Sequence, residues 1–207
     1  AIQIQSVAVA WHVYDKTRDP LYLGYVGLAI FLPSLISALP AGRLADIYPR
    51  RSIMLLTLGV LFLGSLSLLV STLWEGGGLL HLYLTFIVMG FARAFGNPSS
   101  SSYLPQLIQG ERLSQAVALS STTFQLATIF GPALAGLLFG WSTGHLSWVY
   151  GVSIGLFALA ILSLYLLPRF PPPTHTKKRE LLAGLHYVWQ NKLILGAISL
   201  DLFAVLL

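Results

Sequence analysis

The stretch Ala41-Gly-Arg-Leu-Ala-Asp-Ile-Tyr-Pro-Arg-Arg51 is a short charged segment between two long apolar runs, and it decides the fold. Gly42, Asp46, Arg50 and Arg51 stand at offsets 0, +4, +8 and +9 within it. Charged groups so close to a bilayer need a partner or contact with water, because an unpaired charge in hydrocarbon is costly. The segment is therefore predicted to be a functional hinge between two membrane-spanning helices.

The composition predicts a membrane protein before any further motif is considered. Hydrophobic residues make up 56% of the 207 residues and charged residues only 9%, with a mean hydropathy of +0.76. Soluble domains carry about 25% charged residues, so most of this surface is expected to face lipid. Cysteine is absent, which excludes disulfides and cysteine-based metal sites. The net charge of +5 comes from basic residues scattered between apolar segments, so nucleic acid is not an expected partner.

Uninterrupted apolar runs predict six membrane spans, since about 20 residues cross a bilayer. The first span is truncated, and residues 1–14 are predicted to be its second half. The others are Leu21–Pro40, Ser52–Leu73, Leu79–Phe95 (with an extension toward Tyr103), Leu113–Gly140 and Leu146–Leu167, followed by a seventh that begins near Leu193. Turn-forming pairs such as Asp19-Pro20 and Asn97-Pro98 are predicted to separate them. Both ends lie inside apolar runs, so the chain is expected to be part of a longer one.

The spans divide the chain into three predicted parts: a six-helix lobe over 1–168, an inter-lobe loop with an amphipathic helix over 169–192, and the beginning of a further helix over 193–207. Lys and Arg concentrate in the loops after spans two, four and six. The positive-inside rule places those loops, and with them the N-terminus, in the cytoplasm. Glu180–Asn191 has apolar residues at helical spacing, which indicates a helix either on the membrane surface or packed on the protein.

Span five carries a stripe of small residues around a proline, comprising Ala118, Ala127, Gly131, Pro132, Ala135 and Gly136. Small residues let helix backbones approach closely, and Pro132 removes one backbone hydrogen bond and favours a kink. A general helix-packing face and a motif with a role in transport both fit this pattern.

Three further side chains are candidates for handling a proton or a substrate: Gln5, Arg93 and Asp201. Asp201 lies about 12 Å of helix beyond Lys192, where a carboxylate in hydrocarbon is either a proton carrier or a structural acid bonded to a neighbouring span. Arg93 in span four either faces the protein interior or snorkels to the cytoplasmic end. Gln5 in span one could line a substrate cavity, whereas His12 on the same span is interpreted as a packing or interface histidine.

Two of these segments resemble known motifs of one transporter family. The hinge resembles the loop between the second and third helices of the Major Facilitator Superfamily, whose pattern is roughly Gly-x-x-x-Asp-Arg-x-Gly-Arg-Arg; Ile47 and Pro49 depart from it. Span five resembles the antiporter motif of the family, with Gly131, Pro132 and Gly136 in place and alanine at the other glycine positions. Whole segments resemble a branch of bacterial exporters, namely Gln3–Tyr14, Leu39–Asp46 and Leu200–Val205.

The resemblance implies an all-α membrane protein: the six-helix N-terminal lobe of a 12-helix fold with 3+3 inverted repeats, plus the start of helix seven. It implies a second transmembrane lobe that this chain lacks, and alternating access around a midplane site. The implied function is efflux of a drug-like or siderophore-like small molecule by proton antiport across the cell inner membrane. No cofactor, metal or catalytic residue is expected. Gly42, Asp46, Arg50 and Arg51 would form a conformational latch.

Two other classes of protein are alternatives to a transporter. A membrane receptor or scaffold with the same fold would bind a partner without moving solute, and it would tolerate changes at Asp46. An integral-membrane enzyme would need acid, base or metal ligands grouped within the bilayer. The sequence has no such constellation, no nucleophile elbow and no phosphate-binding glycine loop, so an enzyme is not predicted.

Overall fold

The computed structural model describes residues 1–74, 78–108, 110, 112–141, 145–170 and 196, without the side chains of Leu39 and Asp46. These residues form six helices and no strand, which confirms the all-α prediction for this part of the chain. The helices are α1 (Ile2–Thr17), α2 (Leu21–Ile47), α3 (Arg50–Leu73), α4 (Leu79–Leu107), α5 (Arg112–Trp141) and α6 (Leu146–Leu166). The chain divides into two compact units, Ala1–Pro173 and Thr174–Leu207.

The outer surface of the first unit is apolar. Helices α2 to α6 are each long and apolar enough to cross a bilayer, whereas α1 contains 16 residues in this chain. Large apolar side chains stand exposed on these helices, among them Leu28, Phe31, Leu56, Leu119, Phe130 and Leu166. A surface of this kind is stable in hydrocarbon and not in water. The chain is therefore part of a multi-pass membrane protein.

The first three helices pack mainly against the last three. Helix α2 lies along α4, α3 contacts both α4 and α6, and α1 contacts α5 and α6. The fully buried side chains at the centre come from both halves: Val13, Leu61, Leu68, Leu82, Phe86, Tyr150 and Phe157. This crossed packing agrees with the predicted 3+3 repeats, because neither half would bury its inner faces without the other.

Two helices run past the prolines at which the sequence predicts an end. Helix α2 continues through Pro40 to Ile47, and α4 continues through Asn97-Pro98 and Pro105 to Leu107. The predicted turn at Asn97-Pro98 is wrong. A proline frees a single backbone carbonyl, whereas ending the helix inside hydrocarbon would leave a whole turn of backbone groups without partners, so the helix persists.

The charged segment forms a tight helix–helix junction rather than a loop. Tyr48 is extended, with φ −99° and ψ 155°, which is the geometry favoured before a proline. Pro49 has no N–H and cannot continue α2, and α3 begins directly after it at Arg50. The predicted boundaries at Pro40 and Ser52 therefore move inward to Ile47 and Arg50. We call this junction, together with the adjacent C-terminal ends of α4 and α6, the hinge end.

The predicted domain boundaries stay predictions. The first compact unit extends to Pro173, a few residues beyond the predicted end of the lobe at 168. The predicted amphipathic helix and the predicted start of helix seven lie almost entirely outside the described residues.

Candidate functional site at the hinge end and in the lobe core

Arg51 ties the beginning of α3 to the end of α6. Its side chain is buried, with 6% exposed. The guanidinium donates from Nε to the carbonyl oxygen of Leu164 at 3.0 Å and from Nη2 to that of Tyr165, and it lies over the Tyr165 ring, 5.4 Å from the centroid. The last carbonyls of a helix lack helical donors and form its negative end, so they attract a cation.

Arg50 makes the matching tie from α3 to α4. Its Nη1 donates to the carbonyl oxygen of Ser102, in the second-to-last turn of α4. Its Nε is buried and has no hydrogen-bond partner among the described residues. The two hinge arginines thus hold the ends of two other helices through backbone oxygens, an arrangement that sequence spacing does not reveal.

The latch predicted between Asp46 and the arginines remains a prediction. Asp46 lies in the last turn of α2, but its side chain is outside the description. Gly42 lies one turn earlier, and a Cβ built there would meet no atom of the described residues within 4 Å. Packing against the described side chains therefore does not explain why glycine stands at position 42.

The small residues of α5 divide between two faces. A Cβ at Gly131 would lie 2.5 Å from Cβ of Gln3, so α1 and α5 approach closely there, and Ala135 one turn on is also buried. Gln3 Nε2 also donates to Thr128 Oγ1 at 3.2 Å. A Cβ at Gly136 would meet no atom within 4 Å in the part of the chain that the structure describes, and α5 runs as one helix through Pro132. Gly131 therefore packs helices, and no contact with a described residue accounts for Gly136.

Gln5 lies in the core of the lobe. It is fully buried, and its Nε2 donates to Ser65 Oγ at 2.7 Å, with Met89 Sδ at 3.9 Å. Ser65 in turn donates to the carbonyl oxygen of Leu61 at 2.8 Å. The Gln5 Oε1 atom has no partner within the described part of the chain. The amide is thus placed among α1, α3 and α4, and a role in substrate binding stays a prediction.

Arg93 lies midway along α4, between Leu79 and Leu107. Its Nε is buried without a hydrogen-bond partner in the described ranges. About 21 Å of helix separates it from either end, which exceeds the reach of an arginine side chain. Both alternatives for Arg93, a side chain that faces the protein interior and one that snorkels toward the cytoplasmic end of span four, stay predictions. Asp201 lies outside the described residues.

His12 agrees with its interpretation as a packing histidine. It is 3% exposed, and its Nδ1 pairs with the hydroxyl of Tyr150 at 3.2 Å. Tyr150 was not among the predicted site residues, and neither was Ser65, because both partners are distant in sequence. Gly90 was missed as well, although a glycine inside an apolar span is a signal of close helix approach. Within the described ranges, no three His, Cys, Asp or Glu side chains could hold a metal ion.

Several apolar helices that pack crosswise, with a buried arginine at the hinge end, define a polytopic membrane protein. The chain matches the model of the Major Facilitator Superfamily over residues 1–207. It belongs to this family.

The chain is similar to bacterial proteins named Enterobactin exporter EntS. It is 32% identical over 181 residues to the one from Shigella boydii serotype 18 (strain CDC 3083-94 / BS512). It is 31% identical over 181 residues to those from Escherichia coli O1:K1 / APEC and O139:H28 (strain E24377A / ETEC). Each alignment covers 84% of this chain and 43% of the relative, so the chain spans less than half the length of these relatives.

Proposed function

We propose that the protein containing this chain is a secondary active efflux transporter that exports a small molecule by alternating access. The observation that carries the proposal is the similarity, over 84% of this chain, to relatives that are named as exporters. The substrate is proposed to be siderophore-like or drug-like. A second transmembrane lobe completes the substrate site, and the protein resides in the cell inner membrane with its N-terminus and the hinge end in the cytoplasm.

The buried Nε atom of Arg93 supports a solute pathway in this lobe. A guanidinium near the middle of a membrane helix is costly unless it meets a partner or water, and its Nε has no partner among the described residues. Residues of this kind mark substrate and ion pathways in membrane proteins. We assign the missing partner to an anionic group of the substrate or to the second lobe.

Asp46→Asn is expected to reduce efflux at least tenfold while leaving the amount of protein in the membrane unchanged. In the proposed latch, the carboxylate pairs with the hinge arginines in one state and releases them in the other, and asparagine cannot form the ion pair. Efflux of a fluorescent substrate from loaded cells measures the effect. Asp15→Asn is the matched control, because that acid forms an exposed ion pair with Arg18 at 2.7 Å, which stabilises little. Efflux that persists in Asp46→Asn at the wild-type rate would rule out the latch.

Proton antiport is proposed to use Asp201. In proteoliposomes, Asp201→Asn should abolish the part of the flux that follows an imposed pH gradient, because an amide cannot carry the proton. Counterflow exchange, which needs no net proton movement, should survive. A variant that still responds to the gradient would show that another group couples the proton. If the wild-type protein moves no solute under any gradient, the receptor or scaffold function replaces the transporter.

A further inference from the structure

Tyr103 contacts the chain just after it leaves α6. The side chain is 3% exposed and lies in the last turns of α4. Its hydroxyl donates to the carbonyl oxygen of Pro168 at 2.7 Å. Its ring meets the ring of Phe170 edge-on, with centroids 5.9 Å apart and an interplanar angle of 65°. Both partners follow α6, which ends at Leu166.

The Tyr103 hydroxyl and the Pro168 carbonyl each need the hydrogen bond that they form with each other. Leu167 is extended, with φ −74° and ψ 151°, so the helix is over before Pro168. The Pro168 carbonyl therefore has no place in the helical ladder, and a buried phenol hydroxyl needs an acceptor. The edge-on arrangement of the two rings adds a favourable aromatic contact. Phe170 lies beyond the last helix, so the contact joins a segment that follows α6 to a buried side chain of α4.

We propose that Tyr103 is a positioning residue that clamps residues 167–170 onto α4. The connection toward the rest of the chain then begins after Phe170 rather than at the end of α6. Arg51 holds the end of α6 from the α3 side through Leu164 and Tyr165, and Tyr103 holds the following segment from the α4 side. The compact unit, which extends to Pro173, includes the clamped segment. The clamp does not rest on the proposed function.

Limited trypsin digestion of the purified protein in detergent tests the clamp, because Arg169 lies inside the clamped segment. The Arg169–Phe170 bond should be cut slowly in the wild type, since the protease needs that segment released. Tyr103→Phe, which loses the hydrogen bond and keeps the ring, should speed this cut about fivefold. Tyr103→Ala, which loses both contacts, should speed it more than tenfold. Cleavage at Lys177–Arg179 on the same molecule is the internal reference.

Tyr48→Phe is the matched control variant. It removes a hydroxyl from an exposed tyrosine at the same end of the lobe and should leave the cleavage rate after Arg169 unchanged. Equal rates at Arg169 in wild type and Tyr103→Phe, with the reference cuts also equal, would overturn the clamp. Because Tyr103→Phe preserves the packing volume, this outcome does not depend on the folding of Tyr103→Ala. A protein that transports nothing but shows the expected cleavage pattern would refute the proposed function and keep the clamp.

Discussion

Gly90→Ala is expected to destabilise the protein strongly, although the change adds a single methyl group. A Cβ at position 90 would lie 2.5 Å from the carbonyl oxygen of Ile30 and 3.1 Å from both its carbonyl carbon and its Cα. All three atoms belong to the backbone of α2, so no side-chain rotation can relieve the contact. Helices α2 and α4 would have to separate along their shared face. Overpacking of this kind costs typically about 1–3 kcal/mol, and the rigid backbone partner places this site at the upper end.

The midpoint of thermal unfolding in detergent, together with the monodisperse fraction after size exclusion, measures this effect. Two other glycines of the same lobe calibrate it. Gly59→Ala meets no atom within 4 Å and gains up to about 1 kcal/mol in helix propensity, so its melting temperature should stay the same or rise. In Gly64→Ala the three atoms nearest to the new Cβ belong to the flexible side chain of Met89, with Cγ 2.9 Å away, so its melting temperature should lie between those of the other two variants. If Gly90→Ala has the same melting temperature as Gly59→Ala, α2 and α4 are not as close as described.

The number of helices and the position of the hinge could be predicted from sequence because both depend on local properties. A run of apolar residues must form a helix in lipid to pair its backbone groups, and a charged cluster cannot lie at midspan without a partner. The same dependence on local properties explains why the helix ends at prolines were predicted wrongly. The rule that proline ends a helix comes from proteins in water, where the freed carbonyl can bond solvent. In this protein, α2 and α4 continue past Pro40 and Pro98.

The contacts between helices could not be predicted, because these helices are apolar on nearly every side. In a soluble helix the apolar stripe identifies the buried face, but here large apolar residues occupy exposed and buried positions alike. Gln5 pairs with Ser65 and His12 with Tyr150 across 60 and 138 residues, and no local pattern joins them. The Arg51 contacts could not be predicted from the sequence for a different reason. Their acceptors are backbone carbonyls, which every residue carries, so no residue type signals them.

Arg51→Met is expected to destabilise the lobe by about 2 kcal/mol or more, because hydrogen bonds to charged groups contribute about 1.5–3 kcal/mol each. Methionine retains much of the buried volume but donates nothing to the carbonyls of Leu164 and Tyr165, so the end of α6 loses its cation. The stability of Arg51→Lys should lie between those of the wild type and Arg51→Met. An ammonium keeps the charge but lacks the planar guanidinium that reaches two carbonyl oxygens. Unfolding of the purified protein by SDS in mixed micelles measures the difference.

Arg43→Met is the control, because this arginine is exposed in the last turns of α2 and its loss should change stability by less than about 0.5 kcal/mol. Equal stability of Arg51→Met and Arg43→Met would contradict the tie between α3 and α6.

The comparison with Asp46→Asn then separates two roles within one short segment. The Arg51 contacts hold α6 in the structure described here, so their loss should lower stability. A latch is needed in only one state, so the loss of Asp46 should slow efflux and leave the unfolding midpoint nearly unchanged. A fall in stability at both positions would indicate that Asp46 also belongs to the permanent structure of the hinge end.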